Sequence, residues 1–179
     1  MLKFIQFCPN HSRRIKLHKR LSFEPGVTML IGPNGSGKST ILRAIANCAE
    51  CRRTEDGATE YILLDTEAMN PRFNTDAAGN YMNMLVRSRA MFSSHGQSLR
   101  DLLRLIKFTP QSCILLDEPE TAQDLDNIIA LRNSMDHAAA RGAQIICSSH
   151  HVAFWNYSNI VEMRRGYRKR ITGEIAGML

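Results

Sequence analysis

The sequence predicts an α/β fold of three layers with a largely parallel central sheet. Val27–Ile31, VTMLI, is a short continuous apolar run, which is typical of a strand buried on both faces. Similar runs recur along the chain, and segments with helical spacing of apolar residues separate them. Because buried strands that alternate with helices favour parallel pairing, these observations together predict the fold class.

The N-terminal segment predicts an antiparallel β hairpin. LKFIQF has the pattern of a short strand, and RRIKLHKRLSF is its expected hairpin partner. In the second segment the apolar Ile15 and Leu17 alternate with Arg14 and Lys16, as on a strand with one solvated face. Glu24-Pro25-Gly26 then breaks the chain before the first buried strand.

The remaining elements follow from the same patterns. Further buried strands are predicted at 61–64, 113–116 and 144–147, and helices at 41–50, 76–92 and 124–141. In FSSHGQSLRDLL, leucines at helical spacing predict an amphipathic helix that begins after a serine-rich cap. NIVEMRRGYRKRIT predicts a C-terminal hairpin that turns around Arg165-Gly166.

Length and composition limit the class of protein. We expect residues 1–179 to form a single domain, with a small helical subdomain at approximately 70–108. The chain is 44% hydrophobic and 22% charged, as in globular proteins. No apolar run approaches the roughly 18 residues that span a bilayer, and the start lacks a signal peptide pattern. The sequence therefore predicts a cytoplasmic protein without direct membrane insertion.

The five cysteines do not have the pattern of a disulfide framework. Cys48-Ala-Glu-Cys51 has the spacing of half a zinc site, but no second half is evident at a suitable spacing. We therefore expect these cysteines to pack in the interior or to remain reduced surface thiols.

The net charge of +6 comes largely from two basic segments, HSRRIKLHKR and RRGYRKR. Such segments suit an anionic partner, of which nucleic acid is the commonest. The alternative interpretation is that they form the solvated faces of ordinary strands.

The segment GPNGSGKST, from Gly32 to Thr40, matches the phosphate-loop pattern G-x-x-x-x-G-K-[ST]. A predicted buried strand precedes it and a predicted helix follows it. Glycines let the backbone wrap so that amide groups point at phosphate oxygens, and the helix N-terminus adds partial positive charge. Lys38 would reach the outer phosphates of a nucleotide, and the Ser39 hydroxyl would ligate magnesium.

Two further motifs follow buried strands. ILLDEPE places Asp117 where it would bind Mg²⁺ and Glu118 where it would act as general base on water. An acidic helix N-terminus is the alternative for this pair. QIICSSHH ends in His150 and His151, and a histidine there would sense a γ-phosphate and orient the attacking water. All these residues follow the carboxyl ends of strands, where ligands gather in open α/β sheets.

The ordered set of motifs resembles the ATP-binding-cassette (ABC) ATPase family of P-loop NTPases. GPNGSGKST is followed by SSHGQ in the place of the LSGGQ signature, then ILLDEPE, TAQD in the place of the D-loop, and SSH. The resemblance extends over roughly Val27 to His150. It implies ATP and Mg²⁺ as cofactors, Glu118 as catalytic base and His150 as switch histidine. His151 lies one position too late for that role.

The resemblance also implies residues that contact the nucleotide. In the phosphate loop these are Asn34, Gly35, Ser36, Gly37, Lys38, Ser39 and Thr40. Because the family sandwiches two ATP molecules in a dimer, Ser94, Gly96 and Gln97 would contact the γ-phosphate held by the other subunit. Asp124 would be the D-loop acid, and the metal ligands would be Ser39 and Asp117.

The sequence departs from the family pattern at three points. His95 stands where the signature usually has glycine. No glutamine lies between Ile41 and Ser93 in the place of the family's Q-loop residue, and Glu67 or Asn70 would be the candidates to serve the metal or water instead. No N-terminal aromatic is evident for stacking on adenine, and Arg13 or Arg14 could stack instead.

The interval between phosphate loop and signature is compact, as in a stand-alone ATPase domain. The ILLDEPE and SSHH elements are similar to those of small, AAA-labelled ATPases of the RecF-like or OLD-like kind. The resemblance implies an ATP-driven homodimer that acts in DNA repair or phage defence, on nucleic acid or a companion effector protein. Two alternatives remain open. One is the cytoplasmic ATPase subunit of an ABC transporter, and the other is an ATP-gated assembly module with little turnover.

Overall fold

The computed structural model describes residues 1–15, 19–65, 109–121 and 123–178. The strands in these ranges are β1 (Leu2–Gln6), β2 (Arg20–Ser22), β3 (Val27–Ile31), β4 (Arg52–Glu55), β5 (Glu60–Asp65), β6 (Ser112–Asp117), β7 (Gln144–Ser148) and β8 (Asn159–Glu162). The helices are α1 (Pro9–Arg14), α2 (Lys38–Asn47), α3 (Leu125–Ala140) and α4 (Tyr167–Ala176), with a short 3-10 helix at Val152–Phe154.

A parallel sheet with the strand order β5-β6-β7-β3-β8 lies at the centre of the fold. Its strands include every buried run that the sequence predicts, so the parallel α/β architecture is confirmed. The pairing register aligns Asp65 with Asp117, and Asp117 with Ser148, at the carboxyl edge of the sheet. Three polar side chains from separate segments are thereby placed side by side at that edge.

Apolar side chains cover both faces of the central sheet. Met29 and Ile31 pack in one cluster with residues of α3, whereas Leu30 packs in a second cluster with residues of α2. Because successive side chains of a strand point to opposite faces, an uninterrupted apolar run is required to fill both clusters. This is the physical basis of the fully buried strand β3.

A smaller antiparallel sheet has the order β2-β1-β4. The N-terminal hairpin prediction is therefore correct for the pairing of β1 with β2, whereas β4 is a strand that the sequence patterns do not predict. The buried Gln144 joins this sheet to the parallel one, since its side chain exchanges two 2.8 Å hydrogen bonds with the backbone of Leu2.

The predicted extent of the hairpin's second strand is wrong, because Arg13 and Arg14 lie in α1. Pro9 occupies the start of this helix, where its fixed φ is favourable and its missing N–H costs nothing. Ile15 follows the helix and is buried. Arg13 and Arg14 thus belong to a helix rather than to a strand, and residues 16–18 of the predicted strand lie outside the described ranges.

The predicted C-terminal hairpin is also wrong, because the chain after β8 forms α4. Gly166 adopts φ 73° at the N-cap, which turns the chain into the helix rather than into a second strand. Tyr167 and Ile171, four residues apart, pack against the apolar cluster of the α3 face. The Tyr167 ring lies 5.6 Å from that of Trp155. One face of α4 is therefore held by core contacts, while Lys169 and Arg170 are exposed.

Several expectations fall on residues 66–108, which lie outside the described ranges. They are the helical subdomain, the helix at 76–92, the amphipathic helix of FSSHGQSLRDLL, and the candidate residues Glu67, Asn70, Ser94, His95, Gly96 and Gln97. Among the described helices, no helix has the length and apolar character needed to cross a bilayer.

Candidate functional site

The phosphate-loop segment connects β3 directly to α2, as predicted. Gly37 lies at the N-cap of α2 with φ 99°, a left-handed conformation that favours glycine. At Gly32 a Cβ atom would lie 2.6 Å from the Cβ of Met163, so no other residue fits without a backbone shift. The glycines thus allow a tight loop that presents the first turn of α2 to the pocket.

Lys38 is 4% exposed and reaches across the loop. Its Nζ donates to the carbonyl oxygens of Gly32 at 3.2 Å and Pro33 at 3.4 Å. The same atom lies 2.8 Å from Nε2 of His150. Burial lowers the pKa of Lys38, while nearby carboxylates, Glu118 foremost, oppose that shift.

Ser39 and Asp117 form the candidate metal-binding pair. The Ser39 hydroxyl donates to Oδ1 of Asp117 at 2.9 Å, and the Ser148 hydroxyl donates to the same oxygen at 2.6 Å. Asp117 is 6% exposed, so these bonds hold its carboxylate in one orientation. A hydroxyl and a carboxylate oxygen this close together fit Mg²⁺, which prefers oxygen ligands and coordinates few protein groups in nucleotide sites.

Glu118 follows Asp117 in a left-handed backbone conformation, with φ 47°. A non-glycine residue in this region is under local strain, which is typical of residues that a fold holds in place at functional sites. The Glu118 amide donates to both the carbonyl and hydroxyl oxygens of Ser148, each at 3.1 Å. This anchoring directs the side chain of Glu118 into the pocket.

His150 lies between Glu118 and Lys38. Its Nε2 is 3.2 Å from Oε1 of Glu118 and 2.8 Å from Nζ of Lys38. One ring nitrogen cannot accept from the lysine and donate to the glutamate in the same tautomer, so the two contacts are alternatives. Glu120 positions this segment, since its Oε1 accepts the amides of His150 at 2.6 Å and His151 at 3.3 Å.

Residues of the phosphate loop, of α2 and of the ends of β5 and β6 surround a cavity of about 400 Å³. It is lined by Arg14, Asn34, Gly35, Gly37, Lys38, Ser39, Thr40, Arg43, Asp65, Asp117, Glu118 and Thr121. The buried Ser36 hydroxyl in the same loop has no hydrogen-bond partner within the described structure. A glycine-rich cradle with a buried lysine, an unsatisfied hydroxyl and a helix N-terminus fits the phosphates of a nucleotide.

Comparisons with known proteins agree with this geometry. A family model described as "AAA domain" matches residues 10–56. The cytochrome c biogenesis ATP-binding export protein CcmA of Paramagnetospirillum magneticum is 27% identical over 163 residues, covering 70% of this chain and 75% of CcmA. The DNA replication and repair protein RecF of Chlorobium limicola is 31% identical over 135 residues, covering 68% of this chain but 35% of RecF.

Solved structures show the same fold. An ATP-binding cassette of an ABC transporter in its ADP conformation has a TM-score of 0.55 at 16% identity, covering 88% of this chain and 87% of that one. A putative ABC transporter ATP-binding protein from Pyrococcus furiosus has a TM-score of 0.52 at 17% identity, covering 81% and 89%. The chain therefore has the fold of ATP-binding cassettes, and it is similar to P-loop ATPases of the ABC type.

The structure brings the predicted residues of three motifs together at one site. Lys38, Ser39, Asp117, Glu118 and His150 all lie within a short chain of contacts. Asp124 instead serves as the N-cap of α3, where its side chain accepts the amide of Asn127 at 2.8 Å. Its expected D-loop role remains a prediction.

Two residues that line the pocket, Arg43 and Asp65, are not identified by the sequence motifs. Asp65 ends β5 beside Asp117, and it accepts a 2.9 Å hydrogen bond from Arg43. The signal was present, since YILLD repeats the pattern of apolar residues followed by aspartate in CILLD. Of the two arginines expected to stack on adenine, Arg14 is the one that lines the pocket.

The expectation that Cys48 and Cys51 lack a second half-site is wrong. Cys8 and His11 lie next to them, and the four ligand atoms are all within 4.8 Å of one another. The spacing Cys8-Pro-Asn-His11 was the available signal, but it pairs a cysteine with a histidine and so differs from the cysteine pair at Cys48 and Cys51.

Proposed function

We propose that this protein binds Mg·ATP in the pocket of the phosphate loop and hydrolyses it. The observation that carries the proposal is that Lys38, Ser39, Asp117 and Glu118 line one cavity, and that His150 contacts both Lys38 and Glu118. A phosphate cradle, two oxygen ligands for Mg²⁺ and a carboxylate near a histidine are the parts that ATP hydrolysis requires.

Binding of the triphosphate would rearrange the contacts of Lys38. Its ammonium group lies among loop carbonyls and beside His150, whereas the phosphate oxygens carry full negative charge. Lys38 would therefore exchange its contact with the His150 ring for a charge-assisted bond to phosphate. Departure of the lysine frees Nε2 of His150 to donate, either to Glu118 or to the γ-phosphate.

Glu118 is proposed as the general base. Its side chain is 41% exposed and lines the pocket, so a water molecule can reach it there. Ser39 and Asp117 would hold Mg²⁺, and when bound the ion neutralises charge that develops on the phosphate oxygens. His150 would orient the water through its contact with Glu118.

We further propose that two copies close around two ATP molecules. Ser94, Gly96, Gln97 and Asp124 of each copy would then complete the site of the other. The support is the resemblance of SSHGQ and TAQD to motifs of the ABC family. Hydrolysis would reopen the dimer. In the alternative of an assembly module with little turnover, the two copies would close on ATP and stay closed.

The variant Glu118→Gln tests this cycle. Removal of the base should slow hydrolysis and trap ATP, so that Mg·ATP converts the variant from monomer to dimer in light scattering after size exclusion. Adding Ser94→Arg should prevent this dimer yet leave ATP affinity within about twofold, because Ser94 would act on the partner's nucleotide. A Glu118→Gln protein that binds ATP and stays monomeric contradicts the closure model.

The partner is proposed to be nucleic acid or a companion effector protein. The similarity to RecF supports a DNA-related process, and so does the exposed basic segment Arg164–Arg170 with its net positive charge. The similarity to CcmA favours the alternative of an export ATPase that works with a membrane subunit. The chain spans about a third of the RecF relatives, at 35% and 31% of their lengths.

Charge neutralisation distinguishes these partners. Replacing Arg164, Arg165, Arg168, Lys169 and Arg170 by glutamine should flatten the salt dependence of duplex DNA binding, with the log–log slope falling by roughly 0.9 for each phosphate that the variant no longer neutralises. Neutralising exposed basic residues elsewhere, at Lys3, Arg52 and Arg141, provides the matched control. An affinity and salt slope equal to those of the wild type would remove this segment from any nucleic-acid interface.

A further inference from the structure

A cluster of three cysteines and a histidine lies at the C-terminal end of α2, and none of the four residues lines the nucleotide pocket. It consists of Cys8, His11, Cys48 and Cys51, whose ligand atoms all lie within 4.8 Å of one another. Nδ1 of His11 is 3.1 Å from Sγ of Cys8 and 3.6 Å from Sγ of Cys51. The proposed ATPase mechanism uses none of these side chains.

The distances in this cluster are close to those between the ligands of a tetrahedral zinc ion. With a Zn–S bond of about 2.3 Å and a Zn–N bond of about 2.0–2.1 Å, tetrahedral ligands lie roughly 3.5–3.8 Å apart. The separation of His11 from Cys51 falls in this range, and the separation of His11 from Cys8 is a few tenths of an ångström shorter. All the other ligand atoms lie within 4.8 Å of one another.

The backbone presents the four ligands in two pairs. Cys8 is the N-cap of α1, and His11 lies one turn later on the same helix. Cys48 is the C-cap of α2, and Cys51 directly precedes β4. Two short pairs of the form C-x-x-H and C-x-x-C on separate elements are the usual arrangement of a structural zinc site.

The surroundings of the cluster also suit a metal thiolate. The backbone amide of Cys8 points at Sγ of Cys51 at a distance of 3.4 Å, and such an N–H group stabilises negative charge on sulfur. Cys8 and Cys51 are only 6% and 4% exposed, which excludes water from one side. His11 and Cys48 are half-buried, which leaves an entry path for the ion.

We propose that Cys8, His11, Cys48 and Cys51 bind one structural Zn²⁺ ion. Three soft thiolates and one imidazole favour zinc over magnesium or calcium, which prefer oxygen ligands. Four protein ligands close the tetrahedron, so no position remains for a substrate or reactive water. The ion would therefore stabilise the structure rather than catalyse a reaction.

This site would fix the position of one wall of the nucleotide pocket. The ion ties the start of α1 to the end of α2, and α2 begins at the phosphate loop. At the other end of α1, Ile15 packs beside Gly37, and Arg14 lines the pocket. Zinc would thus hold Arg14 in place for the nucleotide. This consequence rests on the proposed ATP binding, whereas the metal site itself does not.

Metal analysis of the full chain, purified in the presence of reductant, tests the site. The wild type should contain about one zinc per chain by mass spectrometry, and Co²⁺ added to metal-free protein should give thiolate charge-transfer and tetrahedral d–d absorption. Cys48→Ser and His11→Ala should each weaken zinc binding by roughly a hundredfold or more, because loss of an outer-shell partner alone costs about 10–100-fold. Cys113→Ala, which removes a buried cysteine outside the cluster, should keep the full zinc content.

Two results would overturn the proposal. One is that the reduced, folded wild type and Cys48→Ser have equal affinities for Zn²⁺ and for Co²⁺. The other is a Co²⁺ spectrum of the wild type without thiolate charge transfer, a readout that needs no variant to fold. ATP titration of the zinc-loaded and metal-free wild type tests the coupling separately. Equal ATP affinities with and without bound zinc would remove the link to Arg14, and absence of ATP binding from both forms would contradict the proposed function instead.

Discussion

Replacement of Ser148 by alanine should cost much more stability than the same change at its neighbour Ser149. Both side chains are fully buried. The Ser148 hydroxyl donates to the Asp117 carboxylate at 2.6 Å, whereas the Ser149 hydroxyl accepts a neutral amide of His151 at 3.0 Å. Hydrogen bonds to charged groups contribute about 1.5–3 kcal/mol, and neutral ones about 0.5–1.5 kcal/mol.

The remaining hydrogen bonds of each variant narrow the expected loss of stability. In Ser148→Ala the Glu118 amide keeps its 3.1 Å hydrogen bond to the carbonyl oxygen of residue 148. The interaction lost is therefore essentially the hydrogen bond from the Ser148 hydroxyl to Asp117. In Ser149→Ala the His151 amide keeps its 3.3 Å hydrogen bond to Oε1 of Glu120, so it still has an acceptor. We therefore expect a decrease in the free energy of unfolding of about 1.5–3 kcal/mol for Ser148→Ala and about 0.5–1 kcal/mol for Ser149→Ala.

Guanidinium denaturation measures both values. Trp155 is the single tryptophan of the chain and is 3% exposed, so its fluorescence reports loss of the core. Equal costs for the two variants, at unchanged denaturant slopes, would refute the claim that Ser148 holds a buried charge in place. The Ser148→Ala variant should also weaken Mg²⁺ binding, because Asp117 would lose one of the bonds that orient its carboxylate.

Two glycine substitutions should have opposite effects in the same denaturation assay. Gly32→Ala should lower the free energy of unfolding by about 1–3 kcal/mol, since the new Cβ would lie 2.6 Å from that of Met163 and force a backbone shift; an unchanged midpoint would contradict this close packing. Gly173→Ala should raise the free energy of unfolding by about 0.5–1 kcal/mol, because it lies inside α4 with open space around it. A loss of stability at Gly173 would argue against a helix in this segment.

The central sheet was predictable because its strands are buried on both faces. A strand such as β3 needs apolar residues at every position, which leaves an unbroken run in the sequence. The order β5-β6-β7-β3-β8 follows from pairing between distant segments, and the spacing of residues within one segment carries no information on it.

The two wrong hairpins have a common physical cause. In α4, Tyr167 and Ile171 are the residues that contact the core, and the arginines and lysine between them hide their helical spacing. In α1, no residue of the helix itself is buried, so tertiary contacts of Cys8 and Ile15 at its ends determine its position. Local patterns predict elements well only where burial follows a regular period.

The candidate site was predictable residue by residue but not as an arrangement. Motifs identify Lys38, Asp117 and His150. Phosphate binding, magnesium binding and orientation of water each require such a side chain at the end of a strand or the start of a helix. The sequence could not place Nε2 of His150 between Lys38 and Glu118, because that depends on the sheet register. The four candidate zinc ligands come together for the same reason, across elements that are distant in the chain.

Single-turnover hydrolysis of prebound Mg·ATP by the wild type and Glu118→Gln tests the central claim most directly. The account predicts that both proteins bind ATP, and that the variant cleaves it slower by about 10²–10⁴-fold, the usual contribution of a general base. Lys38→Met should fail to bind the nucleotide and serves as the control for the pocket. Equal cleavage rates in the wild type and Glu118→Gln would contradict the assignment of Glu118 as the base, and with it the proposed mechanism.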